Sequence, residues 1–195
     1  MDERTRIVYR QLEERYVKVA WTHKIHECQS DLYIRKHDGI KKWMAILAAI
    51  VSTSAIVTLF KDVFPQEYVK PWIISFITTI LSVVSTYFTL RFKDAAYLDK
   101  AKANKVHASK CHDMRNKYES ALTDIKSNII EDYSQIIDLR NSLENMENII
   151  YSNDSVPYTS CEAVDNARRS LIGNNDSQTQ DSEIRSIVPE HLQVL

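Results

Sequence analysis

WMAILAAIVSTSAIVTLF, Trp43–Phe60, and PWIISFITTILSVVSTYFTL, Pro71–Leu90, stand on either side of the polar connector KDVFPQEYVK, Lys61–Lys70. The two runs hold 18 and 20 residues without a single charge. As helices rising about 1.5 Å per residue they reach about 27 and 30 Å, the thickness of a bilayer's hydrocarbon core. Charge begins where headgroups would begin: Lys41 and Lys42 precede the first run, Lys61 and Lys70 bound the connector, and Arg91 and Lys93 follow the second. Trp43, Tyr68 and Trp72 lie at the ends, where amphipathic rings favour the interface. Pro71 suits a helix start, because a first-turn proline forfeits no hydrogen bond. Two buried soluble helices are the competing reading, but consecutive uncharged helices of spanning length are rare in a chain of this size. The pattern predicts a two-helix transmembrane hairpin over residues 43–90.

Basic residues set the expected orientation. Five Lys or Arg fall between Lys24 and Lys42 and six between Arg91 and Lys110, against two in the connector. The positive-inside bias then places both termini in the cytoplasm. The N-terminus, MDERTRIVYRQLEERYVK, is charged throughout and has no apolar core of a cleavable signal peptide. Cys28, Cys111 and Cys161 all fall on the cytoplasmic side in this topology and are expected as free thiols.

Helix breakers are nearly absent. Gly39, Gly173, Pro65, Pro71, Pro157 and Pro189 are all the glycine and proline in the chain, so residues outside the tail are expected to be helical almost throughout. The fold class expected is all-α: the transmembrane hairpin with a cytoplasmic helical bundle that includes one long amphipathic helix. One straight helix from Trp72 to Val156 would exceed about 120 Å, so a bend is expected, placed within Ala103–Asp113, where large apolar side chains thin out. Beyond it Met114, Tyr118, Leu122, Ile125, Ile129, Tyr133, Ile136, Leu139, Leu143, Met146 and Ile150 recur at the helical period. The N-terminal segment offers two stripes, Val17, Trp21, Ile25, Cys28, Leu32 and Val8, Leu12, Tyr16, Val19. It is the expected partner of the helix after the hairpin, with the long helix folding back on both. That helix widens through Ile130, Ile137 and Ile149, more apolar surface than one neighbour covers. A bundle core is the bland account of this stripe and a coiled-coil seam between subunits the sharper one, which makes Ile125, Ile129, Ile136, Leu143 and Ile150 candidates for a homo-oligomer interface. Four regions result: a helical cytoplasmic segment (1–42), the hairpin (43–90), a helical extension with the long helix (91–151) and a tail (152–195).

Charge is uneven although the chain's net is −1. Residues 1–42 carry ten basic against seven acidic side chains, 91–118 eight against three, and 119–195 five against fourteen. The basic bands flank the spans, where topology accounts for them and anionic lipid would attract them. They are neither clustered with aromatic residues nor part of a nucleic-acid module, so no nucleic-acid partner is expected. In the tail, Thr159–Glu162 fits a capping box and Gly173 a C-terminal stop, predicting a short helix over Ser160–Ile172. NNDSQTQDSE has the composition of a polar linker, and SIVPEHLQVL ends the chain.

No catalytic constellation is present: no Gly-rich phosphate loop, no nucleophile elbow, and no paired carboxylates at acid–base spacing. No enzymatic activity and no cofactor are expected. His23 and His26 share a helix face, as do His107 and Cys111. His26 lies 17 residues before Trp43 and His107 lies 17 after Leu90, so the pairs are expected at similar depth. A metal there is the minor reading beside a partly buried polar helix interface.

The second run carries a more informative pattern. Ser75, Thr78, Thr79, Ser82, Ser85, Thr86 and Thr89 fall at increments that put every hydroxyl on one helix face, opposite Ile77, Ile80 and Val84. Ala45, Ala48, Ala49, Ser52 and Ala55 line one side of the first run. Close helix packing is the bland account, since small residues let backbones approach and hydroxyls bond across. The sharper account is a ring of second spans from several subunits, its hydroxyls lining water as a weakly selective pore.

Trp21-Thr22 followed by a polar helix into the hairpin, the hairpin itself, and the run from Ala103 to Tyr118, ANKVHASKCHDMRNKY, resemble the SLATT group. These are bacterial two-transmembrane effectors associated with nucleotide-signalling conflict systems, and the resemblance covers roughly Tyr16 to Ile150. It implies an antiviral defence effector of the bacterial inner (cytoplasmic) membrane. Such an effector forms pores or perturbs the lipid bilayer, arrests or kills the infected cell, and answers to a separately encoded nucleotide-signalling or sensor protein. A membrane-anchored helical scaffold recruiting cytoplasmic partners suits the same residues, and depolarisation on expression distinguishes the two.

Overall fold

Continuous helix is what so few breakers allow, and the chain forms it. The computed structural model describes residues 1–59, 71–152, 156–172 and 185–193. Phe60, the connector 61–70, residues 153–155, Gly173 with the polar stretch as far as 184, and residues 194 and 195 lie outside the described residues. In chain order the helices are α1 (Glu3–Leu59), α2 (Pro71–Ala95), α3 (Tyr97–Lys126), α4 (Tyr133–Tyr151) and α5 (Cys161–Ile172), with a 3₁₀ turn at Glu190–Leu192. The described residues contain no strand, which makes the fold all-α. The chain divides into two units, Met1–Leu32 with Ala101–Leu195, and Tyr33–Lys100.

The first unit is a helical bundle. His23 and His26 of α1 face His112 and His107 of α3, so residue numbers rise on one helix as they fall on the other and the two run antiparallel. Against α4 the order reverses. Gln11 meets Arg140, Arg15 meets Glu144, Lys18 meets Glu147 and Thr22 meets Tyr151, each pair 129 positions apart. A constant offset at steps of four, three and four means parallel helices held in one register. Their shared core takes Val8, Tyr9, Leu12, Tyr16 and Val19 from α1, Met114, Tyr118, Leu122 and Ile125 from α3, and Ile136 and Leu143 from α4. Each such aliphatic side chain contributes about 1.5–3 kcal/mol on burial.

The bend expected within Ala103–Asp113 is not there: α3 runs unbroken through it. Large apolar residues thin out because α3 buries Ala101, Asn104, His107, Ala108 and Cys111, side chains small or polar enough for a close neighbour. The breaks lie elsewhere. Ala96 takes a left-handed φ of 45° between α2 and α3, although alanine is the best helix former. The long amphipathic helix expected from Met114 to Ile150 is also two helices. Asn128, at φ 56°, ends α3: the Ile129 N–H donates to the Asp124 carbonyl at 2.9 Å and the Asn128 N–H to that of Ile125 at 3.2 Å. This crossed pair satisfies the terminal carbonyls of a helix closed by a left-handed residue. Asp132 then caps α4, accepting from the Ser134 N–H at 3.1 Å.

Ser160 caps α5, and both its N–H and its hydroxyl donate to Gln29 Oε1 at 2.7 Å. In the second unit, the His37 and Phe92 rings lie 4.9 Å apart and those of Tyr33 and Tyr97 6.2 Å, so this unit includes polar residues on both sides of the apolar runs. Cys28, Cys111 and Cys161 are free thiols.

Candidate functional site

Two groups of residues carry chemistry, one in each unit. In the second, the large apolar side chains Trp43, Ile46, Ile50, Phe76, Ile77, Ile80, Val83 and Leu90 are exposed. Their concentration in one unit is far beyond the scattered exposed leucines of an ordinary surface. Among the described residues no helix is long and apolar enough to cross a membrane. Neither apolar run lies wholly within the described residues, since Phe60 and the side chains of 53–59, 71, 72 and 74 fall outside.

On α2 Ser75, Thr79, Ser82, Thr86 and Thr89 are exposed and Thr78 and Ser85 half-buried. Three of the threonines turn their protons inward: Thr79 donates to the Ser75 carbonyl at 2.8 Å, Thr86 to that of Ser82 at 2.9 Å, and Thr89 to that of Ser85 at 2.8 Å. Ser52 does the same to Ala48 at 2.8 Å on α1, where Ala45, Ala48 and Ala49 are exposed. Ala55 has its side chain outside the described residues.

The bundle contains a polar seam. Glu147, 1 % exposed, accepts from Arg15 at 3.4 Å, from Lys18 at 3.2 Å and from the fully buried Tyr118 hydroxyl at 2.7 Å. Burial, then the hydrogen bond to Glu147, pushes the Tyr118 phenol far above its usual range. One turn on, the Tyr151 hydroxyl donates to Thr22 at 3.2 Å and Lys18 lies over its ring. The His26 ring meets His107 edge-on at 4.4 Å, and its Nδ1 lies 2.8 Å from Asn104 Oδ1. His23 lies beside His112 at 5.3 Å.

Equal counting from the two apolar runs thus locates His26 beside His107, but the residues gather as histidine pairs rather than a ligand set. His23 pairs with His112, which the pattern of threes and fours did not single out. Among the described residues no group of three or more His, Cys, Asp or Glu could hold a metal. Electrostatics agree with neutral residues. Burial, reinforced by the His26 and Lys110 charges, holds the His107 pKa down to about 4, and burial lowers those of His23 and His26. Burial and then the Glu147 carboxylate push the Cys111 thiol up to about 11, opposite to what a thiolate ligand or nucleophile requires. Glu147 had its own signature, a charge four residues after Leu143 on the buried stripe of α4.

The interface candidates divide. Ile125, Ile136 and Leu143 are buried in the chain's own core and Ile150 packs against it, the place the bundle-core account gives them. Ile129 is 71 % exposed because the turn carries it off the stripe.

No curated protein and no solved structure matches the chain. The family model that does match describes a SMODS and SLOG-associating 2TM effector domain, family 4, and it covers residues 8–183, taking in α1 from Val8 onward and α2 through α5, and hence residues of both units. With nearly the whole chain accounted for by one model, the protein belongs to that family, the fourth of the SLATT effector domains.

Proposed function

We propose that the protein is a membrane effector of bacterial anti-phage defence, with Trp43–Phe60 and Pro71–Leu90 as its two spans and both termini in the cytoplasm. The description of its family as 2TM effectors supports the spans, and the basic residues flanking them support the orientation. The observation that carries the reading is the character of α2: exposed Phe76, Ile77, Ile80 and Val83 for lipid, and a hydroxyl face whose threonines satisfy their own protons. Several copies assemble, their α2 hydroxyl faces enclose a conduction path, and opening it depolarises and arrests the cell. A single hairpin cannot enclose a channel, so assembly is part of the mechanism. The protein performs no catalysis, and a separately encoded nucleotide-signalling or sensor protein supplies the trigger.

The test is depolarisation of cells expressing the triggered protein. Ser82→Leu with Thr86→Leu should abolish it while insertion persists, since leucine favours the membrane by a few tenths of a kcal/mol (about −0.5) at a helix centre. Ile80→Leu with Val84→Leu, on the opposite face, should leave it intact. Unchanged depolarisation in the first variant, at normal membrane levels, would make the hydroxyls packing residues and remove the pore from the reading. A cysteine substituted for Gln66, which lies outside the described residues, should be labelled from outside intact cells while Cys161 is spared.

A further inference from the structure

The last described segment, Arg185–Gln193, is attached to the bundle in a way the rest of the core is not. Val188 and Leu192 are buried with Val8, Tyr9, Leu12 and Ile125, and Ile187 packs against them. Hydrogen bonds tie the segment to the bundle: the Tyr9 hydroxyl donates to the Leu192 carbonyl, and Lys126 Nζ to that of Gln193. Other bonds are internal. The Gln193 side-chain amide donates to the carbonyls of Arg185 at 2.9 Å and Val188 at 2.8 Å, and Pro189 opens the 3₁₀ turn Glu190–Leu192. The segment is therefore shaped in part by its own contacts and meets the bundle through the apolar side chains of Ile187, Val188 and Leu192 and the backbone carbonyls of Leu192 and Gln193. It carries one arginine and one glutamate, so recognition is apolar rather than electrostatic. Between Ile172 and Arg185 the sequence contains three acidic side chains, no basic one and one large aliphatic residue, Ile184, a composition that contributes little to a core.

We propose that the end of the bundle beside Tyr9 and Lys126 is a peptide-binding groove whose resident ligand is the chain's own segment 185–193, a plug that leaves and returns without the bundle unfolding. The ligand class is a short apolar peptide with two aliphatic side chains four positions apart, a proline after the first, and backbone carbonyls free to accept from a tyrosine and a lysine. Leaving uncovers the ends of α1 and α3 together, because Tyr9 lies in the first turns of one and Lys126 in the last turn of the other.

Hydrogen exchange on the full wild-type chain in detergent micelles is the first test. Amides of 185–193 should exchange at least tenfold faster than the core amides of α1 and α3, through an opening that leaves those protected. Exchange of both at one rate would make the segment fixed core and overturn the proposal. The second test adds a labelled, C-terminally amidated peptide of sequence RSIVPEHLQ to full-length protein carrying Val188→Asp with Leu192→Asp. Saturable binding at least tenfold tighter than to wild type, whose groove is occupied, is expected, and none by a peptide with the same two aspartates. A folded variant that binds no better than wild type would overturn the groove; should the variant not fold, the exchange rates of the wild-type chain decide.

Discussion

Removing the Tyr118 hydroxyl tests the polar seam most directly. In Tyr118→Phe the buried Glu147 loses the Tyr118 donor to Oε2 while Oε1 keeps Arg15 and Lys18. A hydrogen bond to a charged group contributes about 1.5–3 kcal/mol and its loss in a buried site is not repaid by water, so the cost should be about 2 kcal/mol. Arg15 and Lys18 have side chains 37 % and 58 % exposed; screening holds such pairs to about 1 kcal/mol or less each. In Glu147→Leu both cations can hydrate, but the fully buried Tyr118 hydroxyl is stranded, again at about 2 kcal/mol. The double variant strands nothing and should cost only about 1 kcal/mol, because apolar replacement of a buried polar pair is often near neutral. Thermal unfolding of the full chain in detergent, followed by helical circular dichroism, should show each single variant melting roughly 4–8 °C below wild type. The double variant should recover most of that loss. Additive losses, with the double near the sum of the singles, would show the two groups to be independent and refute the argument.

Acid should weaken the bundle through its histidines. The folded pKa of His107 is held at about 4, and those of His23 and His26 are also lowered. The unfolded chain therefore takes up protons first: stability is full above about pH 6.5 and lost as pH falls toward 4, with His107 alone costing about 1–2 kcal/mol by pH 5. Melting temperature at pH 5 should lie below that at pH 7.5, and His107→Gln should shrink the gap; an equal gap would clear His107. Ala96→Gly should raise the melting temperature, since a left-handed alanine costs about 1–2 kcal/mol and glycine returns only about 0.5–1 in entropy. A lower melting temperature would mean that the alanine side chain contributes packing that outweighs its strain. Ser160→Ala removes the α5 cap and should cost about 1 kcal/mol, read as faster amide exchange in the first turn of α5; unchanged exchange there would assign the capping to Gln29 alone.

The helical class was legible because helix needs only local information, and the chain has little glycine or proline to interrupt it. The depth of His26 against His107 was legible too, since the apolar runs act as a ruler. The interruptions were not. Ala96 is left-handed against its own propensity, so its conformation is imposed from beyond its neighbours. Asn128 and Asp132 do carry a C-terminal stop and an N-cap, but the apolar repeat from Met114 to Ile150 runs through them at nearly unbroken period and outweighs them. For the same reason the repeat could not say whether its face was spent inside the chain or between chains. Val188 and Leu192 belong to a segment too short to show any period.

The inward-turned protons of Thr79, Thr86 and Thr89 have one more consequence. A hydroxyl that has given its hydrogen to the backbone presents only lone pairs outward, together with a methyl group. At these three positions the surface offers acceptors without donors, beside the exposed hydroxyls of Ser75 and Ser82 on the same face. Toward lipid it is nearly as inert as valine. Toward water each such threonine can replace part of a cation's hydration shell and offers an anion nothing to bind. Were α2 to line an open path, these three carbonyl bonds would favour cations at their own positions, in a stretch without any formal charge.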